Sequence, residues 1–280
     1  MAETISHEIV LNIIYTETIM KRQLAFKQKV LSCQPICGTH IALDNPAIGT
    51  IFGTAGFDFV WIDTEHTDTC ATSLMNVIAA VQAENTPAIV RVPVNDLTAT
   101  KHTLEMGPDG IVFPTVNTPE EADQVMKMCM YPPEGTRGFG PLRAVKYGAR
   151  DMDEYIAASN NELTRFIQIE SRTAVENLPE IIKNPYIDGY IFGPCDLSGS
   201  IGELNKVFGD NTQKLIKQAI AILKDAGKCI GVSTGSIDPE VIAFWNDLGI
   251  NMISSGADFD YMRIGCRENL KNIRKIQGRD

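Results

Sequence analysis

The chain has 280 residues, 44% hydrophobic and 21% charged, with 35 acidic against 25 basic side chains and a formal charge of −10. At about 150 residues per domain this length suggests two domains, and a single α/β barrel of roughly 250 residues fits as well. The acidic balance argues against a nucleic-acid partner, whose binding needs clustered Lys and Arg, and the ordinary Gly, Pro and apolar content excludes collagen-like, disordered and coiled-coil chains.

Seven cysteines are scattered at 33, 37, 70, 129, 195, 229 and 266, with no CxxC pair. A disulfide framework or thiolate zinc site needs tighter spacing, so a reducing compartment, the cytoplasm, is expected. Cys129, Cys229 and Cys266 are expected to pack as small apolar residues. No apolar run reaches the ~20 residues of a membrane span. The opening MAETISHEIVLNIIY carries acidic residues where a secretory signal carries basic ones. Residues 1–34 read as an extra helical extension, with Ile14, Ile19, Leu24 and Phe26 as an apolar stripe; a solvated tail is the alternative. Residues 35–280 read as the main domain, including a C-terminal helix.

From residue 35 onward, apolar runs alternate with helical periods. Strands are predicted over 36–43, 58–62, 88–92, 110–114, 165–169, 189–192, 229–232 and 252–255. These runs are rich in β-branched and aromatic residues and lack polar alternation, which suits strands covered on both faces. Helices are predicted over 72–84, 119–130, 173–182, 212–226 and 239–248. Thr118 with Glu121, and Asp238 ahead of Pro239, are N-cap signals, while Gly227 and Gly249 fit C-caps. Eight strand–helix units predict a closed (βα)8 TIM barrel of the α/β class. A doubly wound sheet is the runner-up, but no GxGxxG or GxxxxGK[ST] follows the first strand. The Pro/Gly/Arg-rich segment 131–150 interrupts the alternation, and long loops in compact domains are often functional. Within it GTRGFG, with Arg137 and Arg143, looks suited to phosphate; a lid or subunit contact is an equal alternative. His40, inside the first strand, and His102, on a helical stretch, read as structural.

A barrel carries its active site at the C-terminal ends of its strands. There the second strand ends in Asp63, Glu65 and His66, the third at Arg91, the fifth in Gln168 and Glu170, and the sixth in Gly193, Cys195 and Asp196. A capped or salt-bridged loop explains any one of these ends, but not four alike. Glu170 and Asp196 are hard oxygen donors suited to Mg²⁺, Mn²⁺ or a similar divalent ion. The turn at Gly193–Asp196 offers N–H groups to a carboxylate, Arg91 suits an oxyanion, and His66 suits proton transfer.

The segments GFDFVWIDTEHTD, VRVPVND, GIVFPTVNTPEEA, YPPEGTRGFG, IQIESRTAVENLPEI and IDGYIFGPCDLSGSIG recur here in order. In them the chain resembles the HpcH/HpaI aldolase family of metal-dependent class II pyruvate aldolases, over roughly residues 35–260. The resemblance implies that Glu170 and Asp196 bind a divalent ion, Mg²⁺ or Mn²⁺ with Co²⁺ or Zn²⁺ possible, and that Gln168 lies beside them. It implies that Arg91 contacts the carbonyl oxygen of pyruvate, and that Gly193, Cys195 and Asp196 form the carboxylate subsite. His66 would be the acid/base, with Asp63 and Glu65 nearby and an acidic residue of a neighbouring subunit beside it. That last position holds Glu105 where the family usually has Asp, and Cys195 stands where relatives often have Ala. The polar stretch 232–235 suggests a hydroxylated aldehyde. The implied reaction joins or cleaves a 4-hydroxy-2-oxo acid through the enolate of metal-chelated pyruvate, with a keto acid and an aldehyde as small-molecule partners. A Schiff-base route is disfavoured, since no predicted strand contains lysine. The family also implies a homo-oligomer, a hexamer with exchanged C-terminal helices, and so residues 258–276 packed on a neighbour. The alternatives are a related barrel acting on another keto acid, by oxaloacetate decarboxylation or acyl-CoA lysis, and a non-catalytic keto-acid-binding protein.

Overall fold

The computed structural model describes residues 21–279. Residues 21–31 form helix α1. Then follow β1 (Ile36–Ile41), α2 (Pro46–Thr54), β2 (Phe59–Asp63), α3 (Ala71–Ala83), β3 (Ala88–Arg91), α4 (Leu97–Glu105), β4 (Gly110–Phe113) and α5 (Pro119–Cys129). After a 3-10 turn at Arg143–Gly148 come α6 (Met152–Glu162), β5 (Thr164–Ile169), α7 (Arg172–Ile181), β6 (Gly189–Phe192), α8 (Pro194–Gly199) and α9 (Asp210–Asp225). The chain continues with β7 (Cys229–Ser233), α10 (Pro239–Asp247), β8 (Met252–Ala257) and α11 (Asp258–Ile276). All eight strands pair in parallel and β8 closes on β1, giving the (βα)8 barrel that the alternation predicts.

The helix starts follow local chemistry. Thr118 and Glu121 form a reciprocal capping box, Asn45 and Asp238 cap helices that begin with proline, and Asp96 and Ser171 cap α4 and α7. Gly227 and Gly249 take positive φ just beyond α9 and α10, where an L side chain would be strained. Strand β1 stops at Ile41 rather than residue 43, because the N–H groups of Ala42 and Leu43 donate to Asp258 instead of a neighbouring strand. Helices α2, α6 and α8 are not among the stretches named from the sequence, and α4 realises the helical stretch expected around His102. The three are short, and α6 carries few apolar side chains for a periodic stripe.

Side chains alternate across each strand, so every second residue enters the barrel. Phe59, Trp61, Ile89, Val112, Phe166, Ile191 and Met252 fill the interior together. Gly38 makes room for the Phe59 ring, whose atoms a Cβ would meet at 2.3 Å. Helix α1 plugs the N-terminal end with Phe26 and Val30, and Phe26 lies 5.9 Å from the Phe59 ring and 6.3 Å from the Phe166 ring. The expected stripe of the extension is thus realised at Phe26 and partly at Leu24, while Ile14 and Ile19 lie outside the described residues. Cys129 and Cys229 are buried as expected, but Cys266 is exposed on α11, which leaves the barrel surface. Among the described residues no helix is long and apolar enough to cross a membrane.

Candidate active site

The alternation that puts Trp61, Ile89 and Phe166 inside the barrel puts Asp63, Arg91 and Gln168 one step above them, at the C-terminal mouth. Glu170 follows Gln168 by one more step. Strand register sets Asp63 beside Arg91, so the first ion pair of the site is built by sheet pairing. Asp63 Oδ1 accepts from Arg91 Nε at 2.9 Å and Oδ2 from Nη2 at 2.7 Å, a two-point grip on the guanidinium. Arg91 Nη1 lies 2.8 Å from Glu65 Oε2 and 3.4 Å from Gln168 Oε1. The guanidinium also rests 5.6 Å from the Trp61 ring centroid. Gln168 Nε2 donates to Glu170 Oε2 at 3.0 Å, completing a chain Asp63–Arg91–Gln168–Glu170 across three strands.

The other oxygen of Glu170 accepts twice from Thr115, from its N–H at 2.5 Å and its hydroxyl at 3.0 Å. Thr115 has φ +49°, a conformation costly for a β-branched residue. Gly193, between β6 and α8, leaves room for Glu170: a Cβ there would lie 2.4 Å from Oε2. Asp196 and Cys195 follow on the first turn of α8 with exposed side chains.

Charge at this mouth is unbalanced. Burial pushes the Glu170 carboxyl above its ordinary range; the Thr115 bonds oppose this, and the charges of Asp196 and Glu65 add to it. Burial also raises Glu65 against the pull of Arg91. Asp63 behaves oppositely, because the bonds and charge of Arg91 outweigh burial and hold it below the carboxylate range. Among the described residues no group of three or more His, Cys, Asp or Glu is gathered to hold a metal ion, so protein ligands here would number one or two.

His66 stands at the rim, 66% exposed, with Nε2 3.6 Å from Glu65 Oε2. It faces Glu65, while Asp63 is committed to Arg91. Glu105 ends α4 outside this network and pairs with Arg137 at 3.4 Å. The structure therefore brings Asp63, Glu65, Arg91, Gln168, Glu170 and Gly193 together, sets His66, Cys195 and Asp196 at the rim, and leaves Glu105 elsewhere in the same chain. Sequence reading missed Thr115. Its signal was positional, as it follows the C-terminal end of β4, another strand end at the mouth.

His40 lies beneath the mouth, 4.9 Å from the Trp61 ring, with Nδ1 3.2 Å from both Gly256 O and Ser254 Oγ. Burial pulls its imidazole down to about 4, which keeps it neutral and structural as expected. In the polar loop after β7, the Thr234 hydroxyl donates to Ser236 O at 2.6 Å and is engaged within the loop. The eight strands contain no lysine, consistent with the disfavoured Schiff base.

Fold and site together describe a parallel barrel that gathers carboxylates and one guanidinium at its strand ends. A family model described as HpcH/HpaI aldolase/citrate lyase matches residues 37–259. The chain is 33% identical over 235 residues to the hydroxypyruvate/pyruvate aldolase of Deinococcus radiodurans, covering 83% of each chain. It is 31% identical over 252 residues to the 5-keto-4-deoxy-D-glucarate aldolase of Klebsiella pneumoniae, covering 89% of this chain and 96% of that one. A solved HpcH/HpaI aldolase/citrate lyase family protein from Burkholderia cenocepacia superposes with a TM-score of 0.83 at 25% identity, over 89% of this chain and 99% of that one. The chain belongs to the HpcH/HpaI aldolase/citrate lyase family. Within it the chain is an aldolase, a carbon–carbon lyase.

Proposed function

We propose that this aldolase joins pyruvate to an aldehyde, or cleaves the resulting 4-hydroxy-2-oxo acid, with a divalent ion at Glu170 and Asp196. The observation that carries the reading is the charge at the mouth, where Asp63, Glu65, Glu170 and Asp196 face one guanidinium, Arg91. Carboxylates that raise one another's proton affinity in a buried site fit a cation between them. Their hard oxygens suit Mg²⁺ or Mn²⁺, with Co²⁺ or Zn²⁺ as alternatives. When bound, the ion would supply Lewis-acid polarisation of the 2-oxo group.

The chain's own residues divide the remaining work. Arg91 stays charged at any working pH and, held by Asp63 and Glu65, offers its guanidinium to the oxygen that gains charge. Gln168 ties that guanidinium to Glu170, so donor and ligand keep a set separation. The N–H groups of Cys195 and Asp196, on the first turn of α8 beyond Gly193, take the substrate carboxylate. His66, exposed beside Glu65, carries the proton between C3 and solvent.

The site is completed in an oligomer. Helix α11 exposes Phe259, Met262, Leu270, Ile273 and Ile276 along one stripe. A groove of about 500 Å³, lined in part by Ile36, Gly38, Ile237, Ile242 and Ile253, opens beside β1 and α10. Exchange of α11 between copies covers both surfaces, and a hexamer made of three such dimers would set Glu105 of one copy near the His66 of another. We further assign residues 1–34 as an extension, residues 35–280 as the aldolase barrel, and the cytoplasm as its compartment, in keeping with seven free cysteines.

Pyruvate in D₂O tests the reading. With Mn²⁺ or Mg²⁺ its methyl NMR signal should disappear by exchange, and chelator or Glu170→Ala should stop the loss with the fold intact by circular dichroism. Exchange that persists without metal, or in Glu170→Ala, would overturn the ligand assignment.

A further inference from the structure

Glu170 meets Thr115 through a turn that has to be held. The turn follows β4 at residues 114–117, and Thr115 within it keeps φ +49°, a backbone state that β-branched residues rarely adopt. Asn95, in the loop between β3 and α4, donates from Nδ2 to Pro114 O at 2.5 Å. Asn117 Nδ2 donates to Thr115 O at 3.3 Å. Asn117 is held in turn by the Ser171 hydroxyl, which donates to its Oδ1, and by Asn177 Nδ2, 2.8 Å from its backbone oxygen. The two carbonyls on either side of the Thr115 Cα are thus both engaged by side-chain amides.

Asn95 acts on the peptide that carries the donor. Pro114 O and the Thr115 N–H belong to one peptide unit, and in a planar trans peptide they point in opposite directions. Asn95 holds the oxygen end while Glu170 Oε1 accepts from the nitrogen end, so the plane is fixed between them. The loop that supplies Asn95 is itself anchored, since Arg91 ends β3 and Asp96 caps α4. Among the described residues the Oδ1 of Asn95 is buried with no hydrogen-bond partner. A buried unpaired acceptor is destabilising, yet the amide cannot turn over to relieve it, because Pro114 O needs a donor. The orientation of the amide is therefore set by the turn.

We propose that Asn95 is a positioning residue for Glu170, fixing through the Pro114–Thr115 peptide the direction in which that carboxylate meets a divalent ion. The role rests on Glu170 being the ligand proposed above. One segment, 91–95, then holds the guanidinium of the mouth and, across β4, the carboxylate that follows β5.

Mn²⁺ titration of the full-length protein, followed by electron paramagnetic resonance, is the test. Asn95→Leu keeps the bulk of the side chain and removes the donor together with the unpaired acceptor. It should fold, by circular dichroism, and bind Mn²⁺ about tenfold more weakly than wild type, through the loss of one well-placed bond. Glu170→Asp withdraws the carboxylate from Thr115, so in that background Asn95→Leu should change the affinity by less than about twofold. A merely structural role for Asn95 would lower the Tm and leave the affinity unmoved. Should Asn95→Leu not fold, Asn95→Ser removes the reach to Pro114 O without adding bulk and carries the same expectations. Unchanged Mn²⁺ affinity in the Asn95 variant, with Glu170→Ala losing it, overturns the positioning role alone. An equal loss in the wild-type and Glu170→Asp backgrounds also overturns it, since Asn95 would then act elsewhere. Wild-type affinity in Glu170→Ala overturns the ligand reading and the positioning role with it.

Discussion

At the N-terminal end of the barrel, Asp109 accepts from Arg22 twice, from Gln82 Nε2 at 3.0 Å and from Ala88 N at 2.8 Å. Asp188 likewise meets Lys27 at 3.1 Å and Arg165 N at 2.8 Å. At the C-terminal end, among the described residues, Glu170 accepts from neutral donors, Thr115 and Gln168, while Asp196 and Glu65 repel it. Both ends bury carboxylates at strand termini, and the difference is whether a cation bonds each one directly: Asp109 and Asp188 have such a bond, whereas Glu170 meets the charge of Arg91 only across Gln168. Where it does, the group is structural; where it does not, the fold keeps an unbalanced charge that a ligand can relieve. One barrel therefore carries a locked end, stoppered by α1, and an open end where the charge is left unbalanced.

Substitution at each end should separate these roles. Arg91→Met removes the cation from the mouth and should lower kcat for pyruvate exchange by about 10²–10³, the usual cost of deleting one oxyanion donor. It should also destabilise the fold by leaving Asp63 buried without its partner. Asp109→Ala should cost about 3 kcal/mol of unfolding free energy in urea and leave kcat unchanged, because its partners lie at the opposite end. An equal loss of kcat in Asp109→Ala would erase the distinction between the ends.

The open end was more legible in the sequence than the locked one. Asp63, Arg91, Gln168 and Glu170 announce themselves because polar residues end strands whose other members are apolar, and a period of two puts them on one face. Asp109, Lys27 and Asp188 give no such signal, since each looks like an ordinary loop or helix charge until α1 folds across the barrel. Thr115 was hidden for another reason. A threonine after Pro114 reads as the start of a turn, and its role depends on a left-handed backbone and a partner 55 residues later. Glu105 pairs with Arg137 in its own chain, so its proposed place beside the His66 of another copy is carried by the resemblance alone.

The layer between the ends has its own pH response. His40 ordinarily titrates near 6.5 and is pulled by burial to about 4, so the unfolded chain takes up its proton first as the pH falls. Its contribution to stability is therefore complete above pH 6.5 and is lost progressively between 6.5 and 4, at most about 3 kcal/mol in all. Urea titrations across that window should show the loss, and His40→Asn should flatten it. A variant retaining the full wild-type slope would show that His40 is not the source of the acid sensitivity.

The finest separation is within the mouth, between holding Glu170 and merely surrounding it. Thr115 gives Glu170 one bond from its backbone and one from its hydroxyl. Thr115→Val keeps the shape, the left-handed backbone and the N–H donor, and removes only the hydroxyl donor. Losing that bond to a charged acceptor corresponds to about 1–2 kcal/mol, so Mn²⁺ affinity measured by electron paramagnetic resonance should change by roughly five- to thirtyfold. The direction identifies the role. A hydroxyl that orients the carboxylate makes the variant bind Mn²⁺ more weakly, and Thr115→Ser should restore the affinity. A hydroxyl that competes for the same oxygen makes Thr115→Val bind more tightly, in which case the Thr115 N–H and the Gln168 amide suffice to hold Glu170.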